Sequence, residues 1–171
     1  FTITGDHVVT ATFEQVLTRR SLAVWLAERI FEPDAQPTGD GSFVDVDKTD
    51  VNYREIMLCV EFGLLAGYSK GEFVPEGTVT RAQLAAVLVK ALYGSMFNPY
   101  SYKGMDTFSD AASFEGGWAE GYINLITKLG AMYGYDDGTF RPGDCAAEED
   151  IVEAVFDREL NNGIFASGYC G

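Results

Sequence analysis

The chain has 171 residues, of which 47% are apolar, enough for a core in one domain or a compact array of small units. Its formal net charge is −14 and its pI about 4.3. That balance argues against nucleic acid, whose phosphates need Lys and Arg in excess, and against anionic membrane surfaces; an anionic ligand at one local cationic spot stays compatible. No apolar run approaches the ~20 residues of a membrane span. The chain opens abruptly at Phe1, the trace a removed leader or a trimmed chain would leave.

In chain order, Leu17-Thr18-Arg19 opens the first predicted helix, with Leu22, Trp25, Leu26 and Ile30 on one stripe. Any helix ahead of it is missing or replaced by residues 1–13. A turn-rich linker follows at 32–42, then Phe43-Val44-Asp45. The next helix runs from Tyr53 to Phe62, with Ile56, Cys59 and Phe62 at helical spacing, and Gly63 suits a left-handed C-terminal cap. In the loop beyond it, Gly67 and Gly71 are both expected at positive φ, and Phe73 is expected to tuck the loop onto the core. Thr80 then caps a helix carrying Leu84, Val87, Leu88 and Leu92, with Gln83 completing a capping box. A second linker, 94–107, leads to Phe108-Ser109-Asp110 and a helix with Ile123, Ile126 and Leu129. The last helix is predicted over Glu148 to Leu160, closing near Gly163.

The second half of this list repeats the first. Gly63, Gly67, Tyr68, Gly71, Phe73 and Pro75 recur as Gly130, Gly134, Tyr135, Gly138, Phe140 and Pro142, always 67 positions on. A gap-free period of this length marks a repeat architecture of helix–loop–helix units, each burying its apolar face against a neighbour. The Phe-x-Asp pairs differ by 65, so the third unit carries a two-residue insertion before its first helix. Cys59 falls opposite Ile126, as a small core residue would. Cys145 and Cys170 either pair and staple the tail or stay free, and no Cys-x-x-Cys suggests a metal site.

Arg81 follows the Thr80 cap and Arg19 follows Thr18, so each is a first helical residue. A cation beside the free amides of a helix N-terminus makes an anion receptor. The alternative is that Arg81 pairs internally with Asp45 or Asp110, or points into water. Tyr68, Tyr135 and Trp118 are candidates for stacking on sugar rings or for loop packing. Asp45, Asp47 and Asp50 lack the Gly and Glu that complete a calcium loop. The single histidine, His7, and the absence of nucleophile or phosphate-loop motifs give an enzyme no foothold, and no cofactor is implied.

The repeated pattern resembles the S-layer homology (SLH) domains of bacterial surface proteins. The second unit carries it in full: Phe43-Val44-Asp45-Val46, Gly63-Leu64-Leu65-Ala66-Gly67-Tyr68, Gly71-Glu72-Phe73-Val74-Pro75 and Thr80-Arg81-Ala82-Gln83-Leu84-Ala85. The third supplies Phe108-Ser109-Asp110-Ala111, Trp118-Ala119 and Gly130 to Pro142, and the first only Thr18-Arg19-Arg20-Ser21-Leu22-Ala23. The resemblance implies an all-α fold of two full repeats and one partial, arranged about a pseudo-threefold axis. The units are 1–31 (partial), 43–93 and 108–162 (divergent), with a tail at 163–171. It also implies a non-catalytic surface anchor outside the bacterial cell, holding an acidic, often pyruvylated secondary cell-wall polysaccharide in grooves between units. The alternative is a scaffold turned to protein–protein contact.

By resemblance the acid-binding role falls on Arg19 and Arg81, with Thr80, Asp45, Asp110, Trp118, Gly67, Tyr68, Gly71 and Tyr135 around the ligand. Glu148 stands where the third unit's Arg belongs and reverses its charge, and Val51 replaces the Trp of the second unit. On this reading Arg81→Ala weakens binding without unfolding the domain.

Overall fold

The computed structural model describes residues 15–39, 43–105, 107–114 and 116–162. They form five α-helices: α1 (Arg19–Ile30), α2 (Tyr53–Glu61), α3 (Arg81–Tyr93), α4 (Glu120–Leu129) and α5 (Glu153–Asn162). Among the described residues there are isolated β-bridges but no strand, so the fold is all-α. The segments expected to lead the first unit, residues 1–13, and to form the tail, 163–171, lie outside the described residues.

The helix starts follow from their caps. Thr18 Oγ1 accepts the Ser21 amide (3.1 Å) and Ser21 Oγ accepts the Thr18 amide (3.0 Å). Thr80 and Gln83 make the same reciprocal pair at 3.3 and 2.9 Å. In the third unit Ala147 has no hydroxyl to give, and only half the pair forms, from the Ala147 amide to Asp150 Oδ2 (2.9 Å). The helix expected from Glu148 does not run on from there. A single 3₁₀ turn, Glu148–Asp150, is followed by extended Ile151, whose side chain is buried. The Val152 amide turns to the Ala131 carbonyl (2.9 Å), and α5 starts afresh at Glu153.

The predicted stripes form the core. Leu22, Leu26, Ile56, Cys59, Leu84, Leu88, Leu92, Ile123 and Ile126 are buried. Helix α1 packs on α2, and α3 packs on both α4 and α5. The first and last helices also meet, through Trp25 against Phe156 (4.9 Å between rings) and Arg29 against Glu153 (3.0 Å) and Asp157 (3.3 Å).

The residues just before the three caps are tied together. The Leu17 amide donates to the Ala146 carbonyl (2.7 Å), the Ala146 amide to Val79 (2.7 Å), and the Val79 amide to Leu17 (3.0 Å). All three residues in this closed cycle of backbone bonds are buried.

The loop glycines divide into two kinds. Gly63, Gly130, Gly71 and Gly138 sit at φ between +70 and +80°. Gly67 and Gly134 do not, contrary to the expectation for both loop positions. They are glycine because a methyl group there would overlap the Phe43 or Phe108 ring. Those rings in turn pack on Phe73 and Phe140 at 5.5 and 5.4 Å.

Candidate functional site

Two arginines occupy equivalent sites with nearly the same partners. Arg19 Nε donates to the Phe73 carbonyl (2.7 Å) and Nη2 to the Ala66 carbonyl (2.6 Å). Arg81 Nε donates to the Phe140 carbonyl (2.9 Å) and Nη2 to the Tyr133 carbonyl (2.6 Å). Each guanidinium lies over two rings, Phe73 (4.3 Å) and Tyr68 (4.9 Å) for Arg19, Phe140 and Tyr135 (both 4.7 Å) for Arg81. Such stacking suits the flat, weakly hydrated guanidinium.

The two sites differ at Nη1. Arg81 Nη1 is ion-paired with Asp150, and the residue is 1% exposed. Arg19 Nη1 has no hydrogen-bond or ion-pair partner among the described residues, and the residue is 9% exposed. Burial pulls the Arg19 guanidinium below its ordinary pKa, while Tyr68 and Asp45 offset part of that effect.

A groove of about 280 Å³ opens beside Arg19. Arg19, Gly67, Tyr68, Gln83, Lys90 and Trp118 line it. Tyr68 and Trp118 are 49% and 60% exposed, so both rings keep a free face. The groove therefore gathers two cations, two aromatic faces and an amide from separate stretches of the chain. A larger cleft of about 450 Å³ beside Phe108, Thr127, Lys128 and Tyr133 holds none of the expected binding residues.

Several expected contributors have other work. The helix N-terminal amides are already taken: Arg19 N by the Gly77 carbonyl (2.9 Å), Arg20 N by Pro75 (2.8 Å), Arg81 N by Asp144 (3.0 Å) and Ala82 N by Pro142 (3.0 Å). With the next amide on the Thr18 or Thr80 hydroxyl, the receptor is reduced to the guanidinium alone. Thr80 is that cap, and Gly71 forms the turn rather than the groove wall.

Asp45 and Asp110 are loop latches. Asp45 accepts the Phe73 (2.8 Å) and Val74 (2.6 Å) amides, and Asp110 accepts those of Phe140 and Arg141 (both 2.8 Å). They hold Val74 and Arg141 at φ +57 and +55°, a conformation that costs a side-chain-bearing residue roughly 1–3 kcal/mol. Desolvation pushes the Asp45 carboxyl up, but the Phe73 and Val74 amides and Arg19 outweigh it and hold the group below its ordinary value. Arg81 does pair internally, but with Asp150 rather than with either latch.

No group of three metal-ligating side chains forms among the described residues. Asp47 caps Thr49 (2.9 Å to its amide) and Asp50 pairs with Arg20 (2.6 Å). Cys59 is buried against the Ala23 carbonyl (3.5 Å), and burial, then Glu55, pushes its thiol up to about 12. Cys145 is an exposed free thiol, and Cys170, the partner the sequence allowed it, lies outside the described residues together with His7.

Both Phe-x-Asp latches and both glycine loops fall within two segments that match one known family. Residues 42–85 and 107–144 match the S-layer homology domain. The chain carries S-layer homology repeats. It is 30% identical over 154 residues to a cellulosome-anchoring protein of Acetivibrio thermocellus, covering 88% of this chain and 33% of that one. It is 29% identical to cell surface glycoprotein 1 of the same organism, over 88% of this chain and 7% of the glycoprotein. A surface layer protein of Brevibacillus choshinensis is 26% identical over 83% of this chain and 12% of its own length. The chain thus spans a third or less of each of these relatives. These SLH repeats belong to proteins of the extracellular bacterial surface. No helix among the described residues is long and apolar enough to cross a membrane.

Sequence reasoning missed Lys90, Gln83 and Asp150. For the first two a signal existed: Gln83, Val87 and Lys90 fall on one face of α3 at helical spacing. For Asp150 the signal was its place 67 positions after Gln83, although its partner Arg81 lies 69 positions away.

Proposed function

We propose that the chain is a non-catalytic module that anchors a bacterial surface protein to an acidic polysaccharide of the cell wall, through the Arg19 groove. One observation carries the reading: Arg19 is a nearly buried cation with no ion-pair partner among the described residues, in a chain of net charge −14. An unpaired buried charge is costly, and a ligand carboxylate at Nη1 would relieve that cost. The aromatic faces of Tyr68 and Trp118 suit the apolar faces of sugar rings, and Lys90 adds a second charge. The names of the relatives, a cellulosome anchor among them, agree with this role. The ligand class is a secondary cell-wall polymer with pyruvyl-type acid groups.

The same reading treats 1–31, 43–93 and 108–162 as three units around a pseudo-threefold axis. The cycle of bonds through Leu17, Val79 and Ala146, each just before its unit's cap, supports it.

The test is cosedimentation with purified walls, followed by calorimetric titration with a pyruvyl-ketal sugar. The parent chain should bind, and Arg19→Ala should lose about ten- to hundredfold in affinity, the worth of one charged hydrogen bond at roughly 1.5–3 kcal/mol. No binding by the parent, or unchanged affinity in Arg19→Ala, would turn the reading to a scaffold for protein contact.

A further inference from the structure

Resting on the reading above, we infer that Asp150 is a built-in ligand: its carboxylate fills the acid-binding position at Arg81, so that of these two equivalent arginines Arg19 alone stays open to a ligand. Two of the three guanidinium nitrogens are held alike in both places, by carbonyls one repeat apart. Both guanidinium planes are covered by the same pair of ring types. The scaffold for an acid at Nη1 is therefore present twice. At Arg19 no acid among the described residues holds Nη1, and the residue borders a groove lined by neutral Gln83. At Arg81 it holds Asp150.

Gln83 and Asp150 occupy the same place in their units, three residues past the cap. Gln83 spends its side-chain oxygen on the Thr80 amide. Asp150 has two oxygens, and splits them between the Ala147 amide and Arg81. The carboxylate thus does in the protein what a carboxylate-bearing sugar would do in trans, and being tethered it wins by effective concentration. The partly exposed ring of Tyr135 stands beside the closed position, as that of Tyr68 stands beside the open one. The latent ligand class is the same, a sugar carrying a carboxylate.

The chain itself supplies the replacements to test this. Asp150→Gln copies the second unit and Asp150→Ser the first, where Ser21 makes the cap. Both keep an oxygen for the Ala147 amide and remove the anion. Stoichiometry would be read by calorimetry with a pyruvyl-ketal sugar, with circular dichroism melts confirming that each variant is folded. The parent should bind one sugar and the folded Asp150 variants two. Arg19→Ala combined with Asp150→Gln should keep one site, now at Arg81. Two sites in the parent, or one site in both folded Asp150 variants, would overturn the inference while leaving the anchoring reading intact. No binding by any protein would overturn the anchoring reading and this inference with it.

Discussion

Asp150 neutralises Arg81 from 69 positions further along the chain, whereas no acid among the described residues pairs with the equivalent Arg19. The same motif position thus yields a structural ion pair in one place and an open cation in the other.

The first prediction follows from that pair. Arg81→Ala should destabilise the domain by about 3–5 kcal/mol, because Asp150 is left half-buried without its cation. The carbonyls of Phe140 and Tyr133 lose their donors as well. This replaces the simpler expectation of weakened binding in an intact fold. Arg19→Ala, which orphans no acid, should cost less. Urea midpoints of the two variants decide it, and equal losses would refute the distinction.

Acid should loosen the loops before it touches the core. The Asp45 carboxyl lies below its ordinary 3.8, as does that of Asp50, held down first by Arg20. Asp137 reaches about 2, chiefly through the hydroxyl of Thr139 in its own turn. A group whose folded pKa is depressed binds fewer protons folded than unfolded, so stability rises with pH across that interval. The contribution is complete above the ordinary value of 3.8 and disappears as pH falls toward about 2. Urea midpoints should be level at neutral pH and fall below about pH 4, and Asp45→Asn should flatten part of that fall. An unchanged acid limb in Asp45→Asn would count against the latch.

Gly67 and Gly71 should fail for different reasons. Gly67→Ala drives a methyl into the Phe43 ring and should cost about 1–3 kcal/mol by overpacking. Because Phe43 packs on Phe73, beneath Arg19, the binding proposed for the Arg19 groove should fall too. Gly71→Ala has open space around it but a φ of +74°, so it should cost about 1–2 kcal/mol of backbone strain and spare the groove. Phe43→Leu should recover part of the Gly67 loss and none of the Gly71 loss. Recovery of both would show that the ring is not the obstacle.

The thiols should sort by burial. Cys59 should resist alkylation in the native protein, since burial keeps it protonated. Cys145 is an exposed free thiol and should be alkylated readily in the same native protein, in place of the pairing with Cys170 that the sequence also allowed. Mass spectrometry after native alkylation should find the label on Cys145 and not on Cys59. Labelling of both alike, or of neither, would refute the sorting by burial.

Much of the scaffold was legible because its causes are local. Thr18, and Thr80 with Gln83, announce helix starts within four residues, and the buried stripes follow helical spacing. The third unit was misread where the local signal was weakest, at Ala147, which lacks a capping hydroxyl. The site was less legible because its decisive contacts are distant. Nothing near Arg19 in sequence says that the Gly77 and Pro75 carbonyls consume the helix amides. Gly67 and Gly71 look alike in sequence, yet one answers to a neighbouring ring and the other to its own backbone.

The cycle linking Leu17, Val79 and Ala146 has a consequence for how this protein can break and grow. An open stack of repeats can fray from an end, or lengthen by one more copy, since each copy touches only its neighbours. A ring has no end from which to do either. Removing any one member strips a donor from one neighbour and an acceptor from the other, in segments far apart along the chain. Heating should therefore give one calorimetric peak rather than stepwise loss of units, and a fourth repeat inserted within the chain should find no seat.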